Sequence, residues 1–387
     1  MTQRSLSASA VASVGLAGLA AAMGIGRFAF TPVFPLMQEH FGTSLVDGAW
    51  LATANYIGYF IGALGSLILT PRASRSVRWG LVAVAVSTLA MSVTDSFAAW
   101  CVLRLIAGIA SAFVLVGASA WALPHLAIRG RADLAGWTFA GVGFGICIAG
   151  LVTLVAASWG MGPVQIWLAL GMIATVVAAY VWRAVGIEAQ AGTTPEPTRP
   201  PPLDRDSWIL IGCYGAFGFG YIIPATFLPA VARNLVADPA VFGWTWPLFG
   251  LAAALSTIAV STIVRAVAPR KVAAWSLLVM AGGVLLPVLR ESLVSLAASA
   301  VCVGGTFMVM TMAGLQEARR VAHGAPTKLM SALTAAFAIG QFAGPILVSA
   351  GKSPDQALIA PSLFAVALLV VSAGVLLLRR QESPAKS

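Results

Sequence analysis

The sequence predicts an all-α membrane protein, with twelve transmembrane helices arranged as two six-helix pseudo-repeats. Three observations predict it. Of 387 residues, 59% are hydrophobic and only 9% are charged, whereas soluble domains carry about 25% charged residues. The apolar residues fall into twelve runs close to the roughly 20 residues that cross a bilayer. The second half also repeats landmark residues of the first at one constant offset. The charge deficit covers the whole chain, which excludes a soluble domain carrying a single anchor.

The expected spans are 8–31, 48–70, 77–94, 97–122, 134–157, 164–183, 208–230, 242–264, 272–289, 293–315, 328–350 and 357–378. Helices are expected because lipid offers no water to backbone groups, and these long runs do not read as barrel strands. The start, "MTQRSLSASAVASVGLAGLAAAMGIGRF", has the basic opening of a signal peptide. Its apolar run is longer than such a segment needs and continues into a repeated element, so it reads as the first span.

The net charge of +10 raises the question of nucleic acid. Of the 23 Lys and Arg, Arg27 and Arg104 lie in spans, and Arg233, Arg290 and Lys352 lie in odd-numbered loops. The other 18 sit at the termini, in the central linker, in even-numbered loops or at the span ends that adjoin them, which is the positive-inside bias. It implies cytoplasmic termini, a topology signal and no nucleic-acid partner. The four cysteines all lie in spans and show no metal or disulfide spacing, so they read as small buried hydrophobes. No cofactor and no metal are expected.

The one long polar stretch is 186–207, "GIEAQAGTTPEPTRPPPLDRDS", a Pro- and charge-rich cytoplasmic linker. It separates an N-terminal six-helix half, 1–185, from a C-terminal one, 208–387. Sliding the first half forward by 194 positions lays Gly18 on Gly212, Gly24 on Gly218, Gly26 on Gly220, Pro35 on Pro229 and Trp50 on Trp244. "GIGRFAFTPVFP" then overlies "GFGYIIPATFLP". Parallel repeats of this kind build transporters whose site lies between the halves at the midplane.

Only Arg27 and Arg104 are ionisable and deep within spans, so each is a functional candidate by default. Arg27 lies 18 residues beyond Ser9, about 27 Å along a helix. Pro32 and Pro35 after it leave the carbonyls of Phe28 and Thr31 without helical donors, so a bend is expected there. Two readings stand for Arg27. Its planar fork suits a carboxylate or phosphate of the substrate. Alternatively it fastens the bend, through freed carbonyls or through Asn55 and Tyr59. Its repeat counterpart is Tyr221. Asn55 and Tyr59 share one face of span 2, and Gly58 and Gly62 make a small-residue stripe for helix contact. Gln341 is polar at span depth. Arg27, Asn55, Tyr59, Tyr221 and Gln341 form the expected substrate site. Trp137, Trp244 and Trp246 read as interfacial anchors or packing residues, with the lining of an apolar pocket as the alternative.

The chain resembles the major facilitator superfamily along essentially its whole length. "PRASRSVR", between spans 2 and 3, is similar to the basic loop motif of that superfamily, with Arg72 and Arg75 at its basic positions and departures at Pro71 and Ser74. Arg265, Arg270 and Lys271 occupy the equivalent loop of the second half. "RLIAG" places Arg104 and Gly108 on the R-x-x-x-G motif, and "GQFAGP" resembles the glycine–proline motif. "GIGRFAFTPVFPLM" followed by "GAWLATANYIGYFIGAL" looks like the YbfB/YjiJ-type branch. The resemblance implies the major facilitator fold in a bacterial inner membrane. It implies coupling or gating roles for Arg72 and Arg75, and coupling or helix packing for Arg104.

The expected function is secondary active transport of a small organic solute by alternating access, inclined towards an anionic metabolite because both inner charges are positive. Efflux of neutral or hydrophobic compounds is the alternative, and a non-transporting membrane sensor is a third reading. No cluster of nucleophile, acid and base suggests an enzyme, and no Walker-type loop suggests ATP hydrolysis. Protons are a candidate coupling ion. However, Glu39, Asp47, Glu317, His40, His125 and His323 all fall near span ends and are expected in water. A monomer is expected.

Overall fold

The computed structural model describes residues 6–188, 203–235, 243–322, 326–349 and 359–378. Arg4, most of the linker, His323, Lys352 and the basic tail from Arg379 lie outside these residues. The described chain is helical: α1 (Ala8–Leu19), α2 (Phe30–Phe41), α3 (Leu45–Leu69), α4 (Ala73–Ala90), α5 (Phe97–Ile128), α6 (Ala135–Ser158) and α7 (Pro163–Glu188). After the linker come α8 (Arg205–Leu235), α9 (Thr245–Ile263), α10 (Pro269–Leu289), α11 (Leu293–Val321), α12 (Pro326–Ser349) and α13 (Ile359–Leu378).

Ten helical stretches are long and apolar enough to cross a membrane, with Ala8–Phe41 counting as one. The helices over the expected spans 77–94 and 328–350, α4 and α12, are not among them. Both carry polar residues that face protein. Ser76, Ser87 and Thr88 on α4, and Ser331, Thr334 and Gln341 on α12, are buried. The outer surface is apolar instead: Ile128, Ile263, Val294 and Leu378 are at least 80% exposed. A water-facing surface rarely shows apolar area on that scale, so this one suits lipid. Trp50 and Trp244, paired by the repeat, are both exposed, as is Trp137. Trp246 is buried and stacked on Phe249 at 5.5 Å.

Helix contacts follow the glycines. α6 carries Gly136, Gly143 and Gly150 on one face, two turns apart, and α9 lies along that face in antiparallel register. A Cβ on Gly143 would stand 2.4 Å from the Ala254 nitrogen and 2.5 Å from the Gly250 oxygen. A second face of α6, through Gly141 and Gly145, meets the carbonyls of Leu16 and Ala20. The Gly58 and Gly62 stripe packs on the α5 carbonyls of Leu105 and Ile109. α3 pairs with α12 by a zipper of Tyr59 with Phe337 (6.5 Å), Phe60 with Phe342 (6.1 Å) and the Ser66 and Ser331 hydroxyls (3.2 Å).

Several contacts recur six spans apart. α1 packs on α6, and α8 on α12; α3 on α5, and α9 on α11; α4 on α7, and α10 on α13. On α4, Arg78 donates to the Trp182 carbonyl near the end of α7, at 3.0 and 2.9 Å. On α10, Arg270 donates to the Leu376 carbonyl near the end of α13, at 3.2 Å. A cation capping a helix C-terminus satisfies late carbonyls and suits the negative end of the dipole.

The first span is broken, but not where the prolines suggested. Residues Ala20–Ile25 are π-helical, turns follow, and α2 restarts at Phe30. The break therefore precedes Pro32. That proline sits in the first turn of α2, where a missing N–H is tolerated. In the π segment the Gly26 N–H turns to the Ala21 carbonyl, freeing that of Ala22, and Ser111 Oγ donates to it at 2.7 Å. The Thr31 N–H turns to Phe28, freeing the Arg27 carbonyl. Arg104 of α5 takes up two successive carbonyls within the break: Nη1 donates to the Gly26 carbonyl (3.2 Å) and Nη2 to that of Arg27 (3.1 Å). The freed carbonyls thus meet Arg104, whereas the sequence reading offered Arg27 for that task.

Two stability predictions follow from this packing. Gly143→Leu forces side-chain carbon onto backbone atoms that cannot yield, so the melting temperature in detergent should fall by an amount typical of overpacking, about 1–3 kcal/mol. Arg104→Leu leaves buried carbonyls unmet and should cost more, about 3–5 kcal/mol, with Arg104→Lys in between. Equal melting temperatures for the three Arg104 forms would refute the clasp.

Candidate functional site

The π segment of the first span turns Arg27 into the protein, where it is 2% exposed. π-helical turns are rare and gather at functional sites. The guanidinium carbon of Arg27 lies 3.8 Å from the Tyr59 ring centroid on α3, and 5.6 Å from that of Tyr56. Its Nη2 donates to Oε1 of Gln341 on α12. Its Nε and Nη1, both buried, have no hydrogen-bond partner, and neither does Nε2 of Gln341. No carboxylate among the described residues pairs with Arg27. A buried cation without a counter-charge is costly, and the Tyr59 face offsets only about 2 kcal/mol of that.

Next to this group is a small cavity of ≈ 10 Å³, room for about one water molecule. Met23, Tyr59 and Leu115 line it from helices before the linker. Tyr214, Phe307, Met308, Thr311 and Phe337 line it from helices after the linker. Around it the rings form one cluster. Tyr221 stacks on Phe307 at 4.4 Å and 16°, Phe217 meets Phe337 at 4.8 Å, and Phe28 meets Phe307 edge-on at 5.8 Å.

The structure brings Arg27, Tyr59, Gln341 and Tyr221 into this one region. Asn55 turns elsewhere: it is fully buried, and its Nδ2 donates to the Arg104 carbonyl at 2.9 Å, tying α3 to α5. Arg104 lies behind the first span, its terminal nitrogens held by the break and its guanidinium 4.8 Å from the Phe30 ring. Arg72 and Arg75 are exposed at the start of α4, away from the cavity, and Arg78 is the arginine of that loop that engages a neighbouring helix.

Sequence reasoning missed most of the ring cluster. A signal existed on α8, where Tyr214, Phe217 and Tyr221 recur at three and four residues and so share a face. It also expected Glu317 in water. Instead α11 runs on to Val321 and carries Glu317 into the protein, 1% exposed, with an oxygen 3.9 Å from Arg320 Nη1. Glu39 and His40 are exposed, as expected. Asp47 caps α3 through a reciprocal pair with Ser44, whose N–H reaches its Oδ2 at 2.8 Å.

Comparison with known proteins bears on the fold and the family. The fold is similar to that of the human organic anion transporter MFSD10 (TETRAN), with a TM-score of 0.67 over 97% of this chain and 99% of that one, at 16% identity. A 94-residue segment is 34% identical to an uncharacterized MFS-type transporter, YceJ, of Bacillus subtilis (strain 168), and spans 24% of each chain. The match thus covers about a quarter of that relative's length. A family model described as the uncharacterised MFS-type transporter YbfB matches residues 19–377. Nearly the whole chain falls within that model, and its many apolar helices make it a multi-pass membrane protein: it belongs to the YbfB-type family of major facilitator transporters.

Proposed function

We propose that this protein is a secondary transporter that moves a small organic anion across a bacterial inner membrane by alternating access. Its twelve spans form two six-helix halves, 1–185 and 208–387, joined by the 186–207 linker. Both termini are cytoplasmic, as the basic even-numbered loops require, and the protein works as a monomer. The recurring helix contacts and the paired arginine caps of α7 and α13 support the two halves. The cavity receives side chains from both halves, so rocking them apart opens it to one side or the other.

One observation carries the anion reading: Arg27 is buried beside that cavity with two free donors and no carboxylate partner among the described residues. The geometry also supplies a coupling device. A guanidinium binds a carboxylate in two prongs through Nε with Nη2, or through Nη1 with Nη2. Both edges include Nη2, which carries two N–H groups, and Gln341 accepts from one of them. A carboxylate that binds in two prongs on the edge Gln341 occupies displaces it, because a charged acceptor is about twice as strong as a neutral amide. Displacement releases α12 from the first span, so substrate binding loosens the contact between halves. Proton coupling needs a titratable group. Glu317 is the buried acid among the described residues and is the candidate carrier.

The walls of the cavity are largely apolar, which also suits efflux of a neutral hydrophobic compound with Arg27 as a structural cation. Counterflow in proteoliposomes separates the two. The anion reading expects trans-anion to drive exchange, and Arg27→Gln to lower it by a hundredfold or more, about 3 kcal/mol of lost charged hydrogen bonds. Exchange that ignores anions and survives Arg27→Gln would favour the neutral substrate. Gln341→Glu gives Arg27 a permanent anionic partner. It should raise the melting temperature and cut exchange at least about tenfold, whereas unchanged exchange would contradict displacement of Gln341.

A further inference from the structure

We infer that the substrate is a monocarboxylate carried on an aromatic ring, a reading that rests on the anion site proposed above and narrows it. The charge count sets the single carboxylate. Within the site Arg27 is the cation with a free fork: Gln341 adds only a neutral amide donor, and Arg104 commits both terminal nitrogens to the Gly26 and Arg27 carbonyls and keeps only Nε. One fork matches one carboxylate. A second carboxylate would have to sit among rings and methionines, unpaired in an apolar wall, which is strongly unfavourable.

The walls set the body of the molecule. Tyr59, Tyr214, Phe307 and Phe337 line the cavity, with Met23, Leu115, Met308 and Thr311 filling the gaps between the rings. Aromatic faces favour another ring over an aliphatic group of equal size through stacked and edge-on contacts. Methionine sulfur adds favourable contacts to ring edges. In this closed arrangement the space is only ≈ 10 Å³, so a solute ring enters as the two halves part and is then held between the rings that line it. The ring of Tyr59 spans both parts of the site, because it faces the Arg27 guanidinium at 3.8 Å and also lines the cavity. A carboxylate on Arg27 therefore places its attached ring against Tyr59 and towards Phe307 and Phe337.

The test uses the full chain in lipid nanodiscs and four probes: benzoate, cyclohexanecarboxylate, succinate and benzyl alcohol, with binding read as thermal shift and by titration. Benzoate should bind roughly three- to tenfold tighter than cyclohexanecarboxylate, its saturated analogue of the same charge. Succinate and benzyl alcohol should bind at least tenfold more weakly than benzoate. Phe307→Leu, which keeps apolar bulk and removes a ring, should erase the preference for benzoate over the saturated acid. Arg27→Lys, which keeps the charge and loses the fork, should weaken both acids alike. If succinate or cyclohexanecarboxylate binds as well as benzoate, and does so through Arg27, the aromatic class is wrong while the anion site stands. If benzyl alcohol equals benzoate and Arg27→Lys changes neither, the anion site itself is wrong.

Discussion

The architecture depends on a single clasp. The first span is broken between Ala20 and Phe30, which exposes backbone carbonyls where lipid and packed protein offer no water. Arg104 spans that break with two hydrogen bonds to the Gly26 and Arg27 carbonyls, and Ser111 takes the Ala22 carbonyl freed by the π turn. Asn55 then fixes Arg104 from the other side through its backbone oxygen. Without this clasp the break would carry unmet polar groups in an apolar setting, at a cost of several kcal/mol. With it, the irregular segment becomes a rigid mount that holds Arg27 facing the other half.

The two arginines divide the work by the partners that geometry gives them. Arg104 meets neutral carbonyls and the face of Phe30, and its terminal nitrogens are occupied. Arg27 meets one amide and the face of Tyr59, and keeps two donors free. The same residue type is therefore a structural tie at one position and a binding group at the other. The glycines make both arrangements reachable. Gly24 lets the π segment lie on Gly145 of α6, and its repeat partner Gly218 lies on the Phe337 backbone of α12, bringing that ring to the cavity.

Much of this was legible in the sequence, for physical reasons. Charge scarcity and long apolar runs reveal membrane spans because lipid penalises charge heavily. Arg27 and Arg104 stand out on the same ground, and the Gly58 and Gly62 stripe does predict the contact with α5. The ring cluster was hidden because membrane helices are apolar on every face, so periodicity does not separate a cavity wall from a lipid wall. Which arginine clasps the break depends on how α5 is rotated against the first span, and spacing carries no such information. The burial of Glu317 was missed because polarity was taken to end the span, whereas α11 continues to Val321 inside the protein.

The central claim is that an anion on Arg27 releases α12 and shifts the two halves. The most direct measurement places spin labels at Ile128 and Ile263, exposed residues near the ends of α5 and α9, in a cysteine-free background, and records their distance distribution by pulsed electron resonance. Adding benzoate should shift that distribution in the otherwise native protein and leave it unmoved when Arg27→Gln is present. A shift of equal size with and without Arg27, or a distribution that does not respond where benzoate binds, would contradict the account.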